Sequence, residues 1–307
     1  ANDDDKDVEE IKDVRYKILF NYEGDGVIIG DQSNKVIKEF TALDSFNGLN
    51  IIEYYQNPQT NEIYLFTINY EGTKYSLKKI NPKDIFLDKE YYYSTSDEIP
   101  IDLGTKSKLH KVLFVNENKF HAIIEEDNNS FILIKTFENG NIIETKKLHE
   151  IIEIDGFNLN SFSYFRDTGL LVIFHEVFND GQRTTALNIK DWSIAFSHSE
   201  IQFTPFGSFG HNGSNYIIGK TDFGNVVIEY LTDMYGNMIN ENSDTFKFMS
   251  GSSISYDTFD NRFEYQKVSD GRNEIGYIDL EKGVLVNEGM IGTPSSRSSP
   301  IFYFNEN

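Results

Sequence analysis

The residue best suited to hold a ligand is Arg297, set in the run Ser295-Ser-Arg-Ser-Ser299. A guanidinium offers five N–H donors in a planar fork and no acceptor. Among hydroxyls it asks for a carboxylate or a phosphate. Comparable runs of small polar residues are Asn158-Leu-Asn-Ser161, Gly207-Ser208 and Ser250-Gly-Ser-Ser253. Asn50, Lys108 and His110 belong with them by position. Arg297, Ser296, Ser252, Ser208, Asn160, His110, Lys108 and Asn50 therefore form the candidate ligand-binding set. A pocket lined by hydroxyls, amides and one guanidinium would suit a sugar, a peptide carboxylate or a phosphate. The same residue types also fit any crowded, wet channel without a ligand, and an Asp or Glu of this chain would satisfy Arg297 equally well.

Other chemistry is weakly signalled. The six histidines are His110, His121, His149, His175, His198 and His211, and none pair at a spacing such as His-x-x-x-His. Each reads as a surface or inter-sheet residue, and no metal or cofactor is expected. Asp97, Glu98 and Asp102 share one long connection. Paired carboxylates can hydrolyse glycosides or bind calcium, but most such clusters are solvated loop charge. The chain has no cysteine, which removes disulfides, thiolate metal sites and a thiol nucleophile. It contains no Gly-x-Ser-x-Gly elbow, P-loop or dinucleotide fingerprint. Net charge is −21 at pH 7, a surface that repels phosphate backbones and argues against nucleic acid as a partner. Trp192, the single tryptophan, reads as a wedge between sheets rather than a platform for stacking a sugar.

What must position these groups is a set of repeated strands. Asp/Asn-Gly turn signals recur through Gly26, Gly72, Asn129, Gly181, Gly224 and Gly271 at steps of 43 to 57 residues, the range of propeller blades. Such residues tolerate positive φ at little cost and so join hairpins. Apolar, β-branched and aromatic runs flank each turn. Examples are Ile63-Tyr-Leu-Phe-Thr-Ile68 before one and Tyr75-Ser-Leu-Lys-Lys-Ile80 after it. Lettering four strands A to D in each repeat, with Tyr91–Tyr93 as the first strand D, gives five complete repeats over residues 49–291. A sixth joins strand A at 299–304 to strands B to D at 16–22, 26–30 and 35–40. The fold expected is all-β: a six-bladed β-propeller over residues 14–307. Its last blade is closed by a C-terminal strand A and N-terminal strands B to D. Five or seven blades, or a pair of β-sandwiches, are the rivals.

The segments Phe162-Ser-Tyr-Phe-Arg-Asp-Thr-Gly-Leu-Leu-Val-Ile-Phe174 and Ile254-Ser-Tyr-Asp-Thr-Phe-Asp-Asn-Arg-Phe263 resemble those of six-bladed TolB-like propellers. Both combine an aromatic strand, an Asp-containing turn and an apolar strand. The family's Trp-Ser-Pro-Asp-Gly consensus is absent, so the resemblance implies the fold and no activity. The start, Ala1-Asn-Asp-Asp-Asp-Lys-Asp7, resembles the acidic stretch after the lipidated cysteine of Bacteroidetes-type surface lipoproteins. It implies that residues 1–13 form a disordered acidic tether, anchored through a lipid on an upstream cysteine. The location implied is the outer-membrane surface or the periplasm of a Gram-negative bacterium. The function expected is a monomeric, non-catalytic binding or scaffolding propeller for a glycan, peptide or protein. The alternative is a carbohydrate-active hydrolase or lactonase, its carboxylates converging from several blades.

Overall fold

The computed structural model describes residues 15–21, 26–31, 33, 35–41, 50–69, 71–83, 98–104, 106–126, 131–156, 159–165, 169–198, 204–211, 214–223, 226–233, 238–240, 247–248, 253–257, 262–269, 272–279, 284–291 and 301–305. In chain order the strands are β1 (Arg15–Asn21), β2 (Gly26–Gly30) and β3 (Val36–Thr41). Next come β4 (Asn50–Gln56), β5 (Ile63–Ile68), β6 (Tyr75–Ile80) and β7 (Glu98–Ile101). They are followed by β8 (Ser107–Asn116), β9 (Lys119–Glu126), β10 (Ile132–Glu138) and β11 (Asn141–Lys147). The third set is β12 (Leu159–Phe165), β13 (Leu170–Val177), β14 (Gly181–Asn188) and β15 (Ile194–His198). The fourth is β16 (Thr204–His211), β17 (Ser214–Phe223), β18 (Val226–Asp233), β19 (Met238–Asn240) and the two-residue β20 (Lys247–Phe248). The last strands are β21 (Ser253–Asp257), β22 (Arg262–Ser269), β23 (Arg272–Asp279), β24 (Val284–Ile291) and β25 (Ile301–Asn305).

These strands make antiparallel sheets arranged as a β-propeller. Five sheets are continuous in sequence, beginning at β4, β8, β12, β16 and β21. A further sheet, in the order β25-β1-β2-β3, joins the two ends of the chain. The ring thus has five sequence-continuous blades and one composite sheet that completes it.

Side-chain alternation explains why the middle strands are apolar nearly throughout. In β5, Ile63 and Leu65 pack against the composite sheet with Ile18, Ile29 and Phe302. Phe66 turns the other way, to Phe114, Phe120 and Ala122 of the next blade. Within β9, Phe120, Ala122 and Ile124 serve the preceding interface, while Ile123 serves the following one with Leu171 and Ile173. A strand buried on both faces carries no polar face, so its sequence reads as a continuous hydrophobic run. No blade buries both faces alone.

The composite sheet pairs the two segments expected from sequence. Arg15, Tyr16, Lys17, Ile18 and Leu19 of β1 oppose Asn305, Phe304, Tyr303, Phe302 and Ile301 of β25. Both neighbouring blades grip it. On one side Tyr54 meets Phe302 edge-on at 4.9 Å between centroids. The Gln56 amide there accepts from Tyr303 N–H at 3.1 Å and donates to the Tyr303 carbonyl. On the other side lies Glu264 of β22, fully buried. Its carboxylate accepts from Tyr303 O–H at 2.6 Å and from Arg15 Nη2 at 3.2 Å, and stands 3.4 Å from Lys17 Nζ. Arg262 Nη2 also reaches it at 3.2 Å.

Positive φ falls where the turn reading needs it, at Gly72 (70°) and Gly181 (76°), with Asn179 at 62°. The first strand D is a correction. It is Glu98–Ile101 rather than Tyr91–Tyr93, which lie outside the described residues. The aromatic run there matched β propensity, whereas pairing with β6 selects Glu98-Ile-Pro-Ile101. Glu98 is therefore a strand residue, 3.6 Å from the buried Lys78 ammonium. Asp102 Oδ1 instead accepts the Gly104 N–H at 2.9 Å. These two carboxylates serve structure separately, and Asp97 lies outside the described residues.

Trp192 is the wedge expected. It is 9% exposed among side chains of the second and third blades, and its ring meets His121 edge-on at 5.1 Å. His121 Nδ1 lies 2.8 Å from Thr136 Oγ1, and His175 Nε2 lies 2.8 Å from Thr185 Oγ1. Burial disfavours the charged ring and lowers both pKa values to about 4. An unfolded histidine titrates near 6.5. Between about pH 6.5 and 4 the unfolded chain therefore holds more protons, and stability falls as pH falls through that window. From pH 7 to pH 5 each histidine is expected to remove about 1–2 kcal/mol. Urea melts at the two pH values check this, with a visibly smaller loss expected in His121→Gln.

Candidate functional site

Neighbouring sheets meet through their first strands at β4 and β8 and at β12 and β16, which makes these four the inner strands of their sheets. Four consecutive inner strands share an irregularity. In β4, Ile51 and Glu53 oppose Thr67 and Phe66, which leaves Ile52 as an extra residue. In β8, Leu109 and Lys111 oppose Ile124 and Ile123, leaving His110 extra. In β12, Leu159 and Ser161 oppose His175 and Phe174, leaving Asn160 extra. In β16, Pro205 and Gly207 oppose Gly219 and Ile218, leaving Phe206 extra. Each is a one-residue bulge near the start of its strand, followed by four or five ladder pairs. All four therefore sit at one level of the channel wall, at the end where chain enters from the preceding blade.

A bulge bends the strand, re-aims side chains and takes the extra residue's main chain out of the ladder. One bulge is an accident of packing; the same bulge in four adjacent blades outlines an arc-shaped mouth. Two polar pairs lie along it. Lys111 Nζ lies 3.1 Å from Glu53 Oε2, joining the first inner strand to the second. His110 Nε2 lies 3.1 Å from Glu125 Oε2 of β9. Burial lowers the His110 pKa; Glu125 offsets part of that effect, and Lys108 adds to it. The imidazole is consequently neutral at pH 7. Its ring stands 6.2 Å from that of Phe162 in the next inner strand. Ile52 is 37% exposed, and Lys108 is exposed.

The candidate residues fall into three groups. His110 and Asn160 occupy two of the four bulges. Asn50, Lys108 and Ser208 each lie two positions from a bulge on the same inner strand, Asn50 and Lys108 before it and Ser208 after it. Ser252, Ser296 and Arg297 lie outside the described residues, so the proposed guanidinium has no structural account. Sequence reasoning missed Ile52, Phe206, Glu125 and the Glu53–Lys111 pair. An apolar bulge residue looks like any other strand residue. The one available signal was a break in strand alignment that shows only after the pairing is known.

Among the described residues no group of three or more His, Asp or Glu side chains is placed to hold a metal ion. No helix among them is long and apolar enough to cross a membrane.

The sequence matches no protein-family model and no curated protein. Solved structures do match in fold. TolB from Acinetobacter baumannii aligns over 94% of this chain and 66% of its own, with 11% identity and a TM-score of 0.56. Prolyl oligopeptidase B from Galerina marginata aligns over 92% of this chain and 52% of its own, with 7% identity and a TM-score of 0.52. The chain thus spans about two thirds of the one protein and half of the other. At such identities the likeness concerns the fold alone. It places the chain in the class of β-propellers.

Proposed function

We propose that the protein is a non-catalytic binding or scaffolding propeller whose ligand, a glycan, peptide or protein, seats at the mouth formed by the inner-strand bulges. The observation that carries this reading is the bulge repeated at Ile52, His110, Asn160 and Phe206. Four blades present an irregular residue near the start of the inner strand. Irregular backbone of this kind gathers at ligand sites. Asn50, Lys108 and Ser208 flank the same mouth, and Ser252, Ser296 and Arg297 would extend it from the remaining blades. The Lys111–Glu53 ion pair suits binding better than proton transfer.

The setting that fits is extracytoplasmic: a monomer forming one propeller domain from residue 14, with residues 1–13 as an acidic tether. A lipid on an upstream cysteine would hold it at a Gram-negative outer membrane or in the periplasm.

Ligand screening by calorimetry, run alongside hydrolysis assays on the same compounds, tests the function. The double variant His110→Ala/Asn160→Ala is expected to weaken a hit at least tenfold while the melting temperature moves by only a few degrees. Turnover of a bound glycan or lactone would replace this reading with the hydrolase one.

A further inference from the structure

Resting on the mouth as the binding site, the geometry points to a compact, uncharged, hydroxyl-rich ligand, a neutral oligosaccharide, rather than an anion or an extended peptide. Three observations converge.

The first is how the bulges are distributed. An extended peptide is recognised by pairing along a single strand edge. Here the irregular main chain occurs once per strand, in four strands around an arc. That arrangement meets a ligand approached from several sides.

The second is the kind of group on offer. A bulged residue withdraws an N–H and a C=O from the ladder together. Each bulge around the arc adds one of each. A hydroxyl is donor and acceptor at once, so a polyol satisfies both kinds of group, whereas a carboxylate or phosphate satisfies donors only.

The third is charge. Lys111 is taken up by Glu53, and Lys135 of β10 by Glu126 and the Leu103 carbonyl. Glu125 accompanies the neutral His110. Against these the exposed Lys108 stands on a chain of net charge −21, a field that repels anions. Exposed Ile52 supplies apolar surface that the C–H face of a sugar ring covers.

The experiment uses saturation-transfer NMR and calorimetry with the whole chain. The probes are a panel of neutral trisaccharides, their uronic-acid and phosphorylated counterparts, and a mixture of neutral tetrapeptides. The expected result is binding of at least one neutral trisaccharide. Its affinity should change less than twofold between 50 and 500 mM salt, but fall at least tenfold in His110→Ala and in Asn160→Ala. Acidic sugars binding more tightly, with affinity lost in salt and in Lys108→Ala, would overturn the neutral-ligand inference and leave the mouth intact. Peptides binding there in place of sugars would do the same. Trisaccharide binding indifferent to both bulge substitutions would overturn the mouth itself, and silence from the whole panel would reject the saccharide ligand.

Discussion

A chain lacking residues 299–307 is expected to be insoluble or molten, while one lacking residues 1–12 melts within a degree or two of the full chain. Removing β25 strips the pairing partner from Arg15–Leu19 and exposes Ile18. It also deletes Phe302, Tyr303 and Phe304, all buried, and leaves Tyr54 and Gln56 of β4 without the ring and backbone they meet. Each fully buried large side chain contributes roughly 1.5–3 kcal/mol. Three of them approach the entire stability of an ordinary domain, about 5–15 kcal/mol. Circular dichroism in the near and far ultraviolet, with dye binding, distinguishes a molten product from a folded one. A truncated chain with native near-ultraviolet signal and a cooperative melt would show that β25 is dispensable.

Glu264→Ala is expected to cost about 3–5 kcal/mol, the penalty for removing one partner from a buried charge network. This carboxylate is the shared acceptor for two cations of β1, one of β22 and the Tyr303 hydroxyl. Without it, Arg15 and Lys17 keep their burial and lose that anion. Glu264→Gln should cost less, because the amide oxygen still accepts from Tyr303. Denaturant melts of the two variants check the order. A loss below 1 kcal/mol in the alanine variant would mean that the closure rests on apolar packing alone.

Much of the fold was legible because the propeller writes its period into turns. Gly72 and Gly181 need positive φ, so their types and spacing announce hairpins directly. Strands β2 and β6 begin and end where the apolar runs do. The composite sheet could be read because Ile301-Phe-Tyr-Phe304 needs a partner and Tyr16-Lys-Ile-Leu-Phe20 is one. Tyr91–Tyr93 misled for a physical reason: β propensity measures fit to a half-buried pleated surface, not which segment a given neighbour selects. The mouth was half legible. Asn160 was legible within a run of small polar residues and His110 as a polar residue of an inner segment, and both occupy bulges. Ile52 and Phe206 could not stand out, because a bulge is a property of the pair of strands. Glu264 was equally silent. Its importance comes from Arg15, Lys17 and Tyr303, brought to it only when the ring closes.

The bulged mouth exists only if the ring closes, so the account stands on the contact between β1 and β25. The most direct measurement is a nuclear Overhauser spectrum of the full chain with labelled isoleucine methyls and phenylalanine rings. The account predicts cross-peaks joining Ile18 to Phe302, which oppose each other across the composite sheet. A spectrum that shows the cross-strand contacts of β9 with β10, yet none between Ile18 and Phe302, would contradict it.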